Sequence, residues 1–235
     1  MSASPYRGND EDQTKGLINR YDSNLLTESV FGANPHQELQ KMGILARVRH
    51  QELPGMTLTP GARRVKTDSE AMHLDDYRID LDQVAKDERR NRGILDSLEK
   101  LPADTTALVF AASVQHAEVL AAVLSHSGVP AAAIAGYTPA AERRRLIAKF
   151  KVGEIRVLTN YNVLSQGFDA PKVGAVYVTR PTFSPNRYQQ MIGRGLRGPK
   201  NGGSEEVLIV NVRDNIDAFG TQLAFHHFDK LWKKS

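Results

Sequence analysis

The chain has 235 residues, 40% of them hydrophobic and 25% charged, with a formal net charge of +4, which permits nucleic-acid binding without requiring it. It contains no cysteine, so disulfides and thiolate metal sites are excluded, and the scattered histidines predict no metal site. No apolar run is long enough to span a bilayer, and the polar start does not fit a signal peptide. We therefore expect a soluble, cytoplasmic protein that has no membrane contact.

The first hundred residues predict a partly helical segment that contains one strand. Apolar spacing predicts a helix within residues 14–26, and "NPHQELQKMG" predicts a short helix that ends at Gly43. "ILARVRHQEL" alternates like a strand, whereas Pro, Gly, Asp and Ser in residues 54–80 predict a loop. The stretch 80–102 then predicts one helix that leads into the second half of the chain.

The second half alternates between predicted strands and predicted helices. Short apolar runs predict five strands, at "TALVFA", "PAAAIAG", "IRVLT", "GAVYVT" and "EVLIVNV". Among the helices, "HAEVLAAVLSHSG" is expected to bury Val119, Leu120, Val123 and Leu124 and to stop at Gly128. The next helix has Thr138 as its expected N-cap, and the last has Ser184. Such alternation predicts an α/β fold with a parallel sheet.

Two arginines stand among glycines in "QQMIGRGLRG", an arrangement that favours close approach of the backbone to an anion. Gly193, Gly195 and Gly198 match the dinucleotide pattern G-x-G-x-x-G by letters. That pattern has to follow a strand and open a helix, whereas this segment closes a helix, so a dinucleotide site is disfavoured. Arg194 and Arg197 have a simpler alternative, in which they only complement the helix dipole.

The stretch "VLTNYNVLSQGFDAP" follows a predicted buried strand and therefore lies at the carboxyl edge of the sheet, where open α/β folds bind ligands. Gly167 and Asp169 suit a tight turn that presents a carboxylate to a ribose hydroxyl. They also suit a plain turn, with Asp169 bonding the local backbone. Spacing alone favours the plain turn.

Three stretches in this order, "ALVFAAS", "GYTPAAERRRLIAKFKVGEIRVLTNYNVLSQGFDAP" and "YQQMIGRGLRG", resemble motifs IV, V and VI of superfamily 2 helicases, above all the DNA-repair and restriction-type members. "SASPYRGND" resembles motif III and its sequel. The resemblance implies that residues 1–101 contain the end of a first motor domain and a connector. It implies a C-terminal RecA-like domain, with a parallel sheet flanked by helices, over residues 102–213, and a helical tail over residues 214–235.

The resemblance also assigns roles to individual residues. It makes Arg194 and Arg197 arginine fingers, and it places Gly167, Asp169 and Gln190 at the nucleotide. The positions at which relatives contact the nucleic-acid backbone are Ser113, Arg143, Asn160, Tyr161 and Asn162. Tyr161 replaces the usual small hydroxyl residue and Asn162 the usual aspartate, which puts those two backbone contacts in doubt.

The phosphate-binding pattern G-x-x-x-x-G-K-[ST] is missing from the sequence, as is an acidic D-E-x-H box. The resemblance thus implies the C-terminal motor domain of an ATP-dependent helicase or translocase, inactive alone. ATP and Mg²⁺ would be held mainly by a first RecA-like domain, and the second partner would be DNA, or RNA. The alternatives are a non-catalytic nucleic-acid-binding module and the duplex-translocating part of a restriction-type assembly.

Overall fold

A six-stranded, all-parallel sheet forms the centre of the computed structural model, which describes residues 35–57, 81–164, 172–182 and 185–215. The order of the strands across the sheet is β1-β6-β5-β2-β4-β3. Their bounds are β1 Arg47–Thr57, β2 Ala107–Phe110, β3 Ala131–Ile134, β4 Val157–Asn160, β5 Ala175–Val178 and β6 Glu206–Asn215.

Helices cover both faces of this sheet. Their bounds are α1 Pro35–Lys41, α2 Leu81–Lys86, α3 Glu88–Glu99, α4 Val114–His126, α5 Ala140–Lys151 and α6 Pro185–Ile192. Alternate residues of β2 belong to two separate hydrophobic clusters, one of which contains side chains of α3 and α4 and the other side chains of α5 and α6. The predicted RecA-like α/β architecture is confirmed.

Strand β1 comes from the segment that the sequence assigned to the connector. It pairs in parallel with β6, from Arg47 opposite Glu206 to Pro54 opposite Arg213. Alternating apolar residues predicted the strand but not its partner, because a pairing across some 150 residues leaves no local signal. The sheet therefore reaches back to residue 47, while the division of the chain at residue 102 stays a prediction.

The single helix predicted over residues 80–102 is wrong, since the chain forms α2 and α3 with Asp87 between them. Asp87 has an extended backbone, and its carboxylate accepts a hydrogen bond of 2.6 Å from the amide of Arg90. An aspartate in this position satisfies an amide that the helix itself leaves unbonded. Asp87 thus starts a new helix where the apolar spacing suggested continuity.

The predicted buried face of α4 is only half right. Leu120 and Leu124 are buried, but Val119 and Val123 are 48% and 37% exposed, and Ala117 and Ala121 are buried in their place. The small alanines let the helix backbone approach the sheet closely. As a result the hydroxyl of Thr159 on β4 donates to the carbonyl of Ala117 at 2.7 Å.

The predicted N-cap at Thr138 is displaced by one residue. Helix α5 begins at Ala140 after Pro139, and Thr138 Oγ1 instead accepts a hydrogen bond from the amide of Ala135 at 2.9 Å. The helix predicted near residues 14–26, the motif III resemblance, Ser184 and residues 216–235 of the tail lie outside the described residues.

Candidate nucleotide and nucleic-acid site

The residues from Gly193 to Gly198, which we call the arginine loop, follow directly on the end of α6. Successive bonds from the amides of Gly193 and Gly195 to the carbonyls of Gln189 and Ile192, at 2.8 and 2.9 Å, close the helix tightly. A Cβ on Gly195 would lie 2.7 Å from methyl groups of Val176 and Val207. Only glycine therefore lets the loop lie against β5 and β6, and this close contact fixes the arginines on either side.

Both arginines of the loop are half-buried. The Nε of Arg194 donates to the carbonyl of Gln190 at 3.3 Å, which ties the side chain to the last turn of α6. Burial lowers the pKa of the Arg194 guanidinium below its ordinary value, although an arginine stays charged at neutral pH. A cation that has lost part of its hydration interacts more strongly with an anion than an exposed cation does.

The described residues assigned to motifs IV and V lie at the opposite end of the strands. Ser113 follows β2, and residues 160–162 end β4, so the parallel strands bring them to one carboxyl edge. The arginine loop contacts Val176 and Val207, near the amino ends of β5 and β6. The predicted site residues that the structure describes therefore do not form one site but lie in two separate groups.

Asn160 has its side chain directed into the core and is completely buried. Its amide donates to the carbonyl of Val109 at 3.0 Å, and its Oδ1 accepts from the amide of Leu164 at 3.3 Å. Those bonds join β4 to β2 and to the segment that follows β4. Asn160 therefore has a structural role at the position where the resemblance placed a nucleic-acid contact.

Tyr161 and Asn162 both interact with Arg180, which comes after β5. The Arg180 guanidinium lies 5.1 Å from the centroid of the Tyr161 ring, and its Nη1 donates to Asn162 Oδ1 at 2.5 Å. Asn162 has a left-handed φ of 57°, which asparagine tolerates better than most residues. Arg180 thus links the ends of two strands. The sequence did not predict this role, because Arg180 comes directly after the predicted strand "GAVYVT" and belongs to none of the motifs.

Ser113 and Arg143 also have local partners. The Ser113 hydroxyl caps α4 by accepting from the amide of His116 at 3.1 Å. The Nη2 of Arg143 lies 3.2–3.4 Å from the carbonyls of Ala135, Gly136 and Thr138 and so holds together the turn before α5. The nucleic-acid role of these two residues stays a prediction, and each already has a structural role.

Of the other predicted nucleotide contacts, one lies among the described residues and two do not. Gln190 is half-buried in the last turn of α6, and its backbone carbonyl accepts the hydrogen bond from Arg194 Nε. Gly167 and Asp169 lie outside the described residues. Within the described ranges no group of three or more His, Cys, Asp or Glu side chains is placed to hold a metal ion.

Sequence interpretation also missed a buried ion pair near the carboxyl edge. Arg90 on α3 and Asp214 on β6 have side chains that are 0% and 1% exposed, and two bonds of 2.8 and 2.9 Å join them. Arg90 Nη2 also donates to the carbonyl of Thr179 at 2.6 Å. The pair joins α3 to the sheet across 124 residues, so local spacing gives no sign of it.

His116 lies beside this pair and is predicted to make stability depend on pH. Burial, with a smaller effect from the Arg90 charge, lowers the pKa of His116 from 6.5 to about 3, so the folded imidazole stays neutral. Below about pH 6.5 the His116 imidazole binds a proton in the unfolded chain but stays neutral in the folded chain. The free energy of unfolding should then fall as pH falls, with a slope that approaches about 1.4 kcal/mol per pH unit.

Urea unfolding of the chain at several pH values between about 7.5 and 5 measures this slope. His116→Asn is the matched variant, because its amide oxygen still accepts from the amide of Ala112, as His116 Nδ1 does at 3.1 Å. The variant should lose most of the slope. Equal slopes in the two proteins would show that His116 is not the responsible group.

Comparison with protein families shows a match of residues 92–198 to the helicase conserved C-terminal domain. This span contains the arginine loop and strands β2 to β5. Over residues 92–198 the predicted resemblance to a superfamily 2 helicase C-terminal domain is confirmed. Strands β1 and β6, which belong to the same sheet, lie outside the matched span.

A curated relative, the putative ATP-dependent helicase IRC3 of Saccharomyces cerevisiae, is 35% identical over 92 residues, which are 39% of this chain and 13% of that protein. The chain therefore corresponds to a small part of that relative. The structure of the C-terminal domain of the DEAD-box protein Dbp5 matches with a TM-score of 0.50 and 26% identity, covering 62% of this chain and 79% of that one.

A putative HsdR subunit fragment of a type I restriction enzyme from Vibrio vulnificus YJ016 matches at a TM-score of 0.61 and 18% identity. This match covers 94% of the present chain and 40% of the other, and it supports the fold alone. Among the described residues, no helix has the length and apolar character that crossing a membrane requires.

Proposed function

We propose that the chain is the C-terminal motor domain of an ATP-dependent helicase or translocase that acts on DNA. A first RecA-like domain would hold ATP with Mg²⁺ in a P-loop, and Arg194 and Arg197 would reach its γ-phosphate. ATP supplies the free energy of hydrolysis that drives the motor. RNA as the substrate and pumping of duplex without unwinding are the alternative forms of this proposal.

The arginine loop is the observation that carries the proposal. Two half-buried guanidinium groups stand on a loop that glycine packing fixes against the sheet. Donors that are fixed before reaction stabilise the charge that develops in phosphoryl transfer without reorganising. A pair of cations suits the second half of an ATP site. The first half is a phosphate cradle with a metal site, which neither this loop nor the described acidic residues provide.

A second surface for the nucleic acid would lie at the carboxyl edge of the sheet. The structural roles of Ser113, Arg143 and Asn160 reduce their side chains' capacity for a further contact. Tyr161 and exposed Asn162 are then the predicted residues most open to a strand. Since this edge is distinct from the arginine loop, variants of the two surfaces should separate strand affinity from ATP turnover.

The chain alone is predicted to show no ATP hydrolysis, with or without nucleic acid. The physical reason is that the arginine loop stabilises charge on a phosphate that another domain has to bind. Phosphate release is measured for the pure 235-residue protein, and then for the same protein joined to its P-loop domain. Nucleic-acid-stimulated phosphate release by the chain alone, abolished by Arg194→Ala, would contradict the proposal that a separate P-loop domain has to bind the ATP.

Nucleic-acid binding by the chain alone should be weak and steeply dependent on salt. A net charge of +4 is modest, and contacts to phosphates release counterions, so the affinity falls as salt rises. Titration of a labelled single strand and a labelled duplex at several salt concentrations gives the slope. Tight binding that survives high salt, or strong preference for one sequence, would favour the non-catalytic binding module instead.

A further inference from the structure

Residues Gly43–Ala46, which we call the connector clasp, run alongside the arginine loop and are bonded to it. Leu45 and Arg197 form an antiparallel bridge. The amide of Ala46 donates to the carbonyl of Leu196 at 3.0 Å, and the amide of Gly198 donates to the carbonyl of Ile44 at 2.9 Å. The backbone on both sides of Arg197 is therefore held by the clasp.

Further bonds extend this contact beyond the loop. The amide of Lys200 donates to the carbonyl of Gly43 at 3.0 Å. The side-chain amide of Asn201 donates to the carbonyl of Ile44, also at 3.0 Å. A Cβ on Gly198 would overlap the carbonyl of Gly43, so this glycine is what allows the two segments to touch.

The clasp is also anchored on its other side. The amides of Ile44 and Leu45 both donate to the carbonyl of Leu39 in α1, at 2.9 and 3.1 Å. The side-chain amide of Gln40 donates to the carbonyl of Ala46 at 3.2 Å. The clasp is thus hydrogen-bonded to α1 on one side and to the arginine loop on the other.

We propose that the connector clasp positions Arg194 and Arg197 for catalysis, with Gly198 and Asn201 as positioning residues that act through the arginines. The inference rests on the proposed function, because it gives the clasp a role in directing the fingers toward the γ-phosphate. The clasp lies in the segment assigned to the connector between the two motor domains. Movement of that connector therefore shifts the backbone that carries the fingers.

The first test measures the clasp itself, without activity. Asn201→Ala removes one bond to Ile44, and Gly198→Ala introduces a methyl group against Gly43. Hydrogen exchange of the Ala46, Gly198 and Lys200 amides should become about tenfold faster in the chain that carries either change. Unchanged exchange at all three amides in both variants would overturn the proposal.

Two matched variants serve as controls. Asn91→Ala removes a bond of the same kind, from a side-chain amide to the carbonyl of Ala85 at 2.7 Å, away from the arginine loop. Gly93→Ala adds a methyl group where nothing lies within 4 Å. Neither control should change exchange at the clasp amides.

The second test uses the complete motor and steady-state ATP hydrolysis. Asn201→Ala should lower kcat about tenfold, with the KM for ATP and the strand affinity little changed, because a finger displaced by about 1 Å loses much of its effect. Gly198→Ala should act in the same direction, and if it fails to fold, Asn201→Ala still decides the outcome. If Asn91→Ala lowers kcat by the same factor as Asn201→Ala, general destabilisation explains both effects and the proposal is overturned.

The same series distinguishes failure of the clasp from failure of the proposed function. If Arg194→Ala and Arg197→Ala abolish turnover while both clasp variants exchange faster but keep full kcat, the clasp proposal is wrong and the fingers stand. If the arginine variants keep full turnover, the proposed function fails, and with it the catalytic role of the clasp.

Discussion

Arg194→Ala or Arg197→Ala is expected to lower ATP turnover of the complete motor by about two orders of magnitude or more. An arginine finger contributes roughly 10³- to 10⁵-fold to phosphoryl transfer in other nucleoside triphosphatases. Lysine should restore little activity at either position, because a planar guanidinium donates two hydrogen bonds in a fixed fork and an ammonium does not. Strand affinity without nucleotide should change little, since the residues predicted to contact nucleic acid lie at the other edge of the sheet.

The measurement is steady-state ATP hydrolysis per folded molecule, with strand binding titrated in parallel. Arg92→Ala is the matched control, because Arg92 is an exposed arginine of α3 and lies outside both predicted surfaces. If Arg194 and Arg197 only complement the helix dipole, each contributes about 0.3–1 kcal/mol of stability and turnover stays near wild type. Full activity of both alanine variants would support that simpler explanation.

Asp214→Asn is expected to lower the free energy of unfolding by about 3–5 kcal/mol, because it leaves the buried Arg90 charge without its partner. Arg90→Met should cost a similar amount by leaving the Asp214 carboxylate uncompensated. The double variant Arg90→Met with Asp214→Leu should be closer to wild type than either single change, since a buried pair replaced by apolar side chains leaves no lone charge. The result expected is thus strong coupling between the two positions.

Urea unfolding of the wild type, Arg90→Met, Asp214→Leu and the double variant gives the coupling free energy, and Asp214→Asn is measured beside them. The exposed pair of Arg49 and Glu206, at 3.5 Å with side chains 71% and 45% exposed, is the matched control. Its removal should cost less than about 1 kcal/mol. A loss of that small size for Asp214→Asn would mean that water reaches the Arg90 pair.

Strands β2, β4 and β5 could be predicted from the sequence because each lies in a short, mostly apolar run and all its residues are buried, as in "ALVF" of β2. The helix α4 shows the limit of the same reasoning. Hydrophobicity favoured Val119 and Val123, whereas close packing on the sheet selected the smaller Ala117 and Ala121. Apolar content does not report how near a helix lies to its sheet.

For the candidate site, the sequence identified the arginine segment by its spacing, and the structure placed it against β5 and β6. It did not reveal that Asn160 is directed into the core, because an asparagine at the end of a strand suits a ligand contact and an internal bond equally. Arg180, the Arg90 pair and the connector clasp were also missed. Each depends on a contact between residues far apart in the chain.

The partnership of β1 with β6 sets an order for folding during synthesis. β1 leaves the ribosome roughly 150 residues before β6, its neighbour in the sheet. At translation rates of about 5–20 residues per second, that interval lasts roughly 8–30 s. Throughout it β1 exposes an unpaired edge and apolar side chains such as Leu53, which is buried once the sheet is complete. The nascent protein therefore presents a site for chaperone binding or for aggregation until β6 emerges.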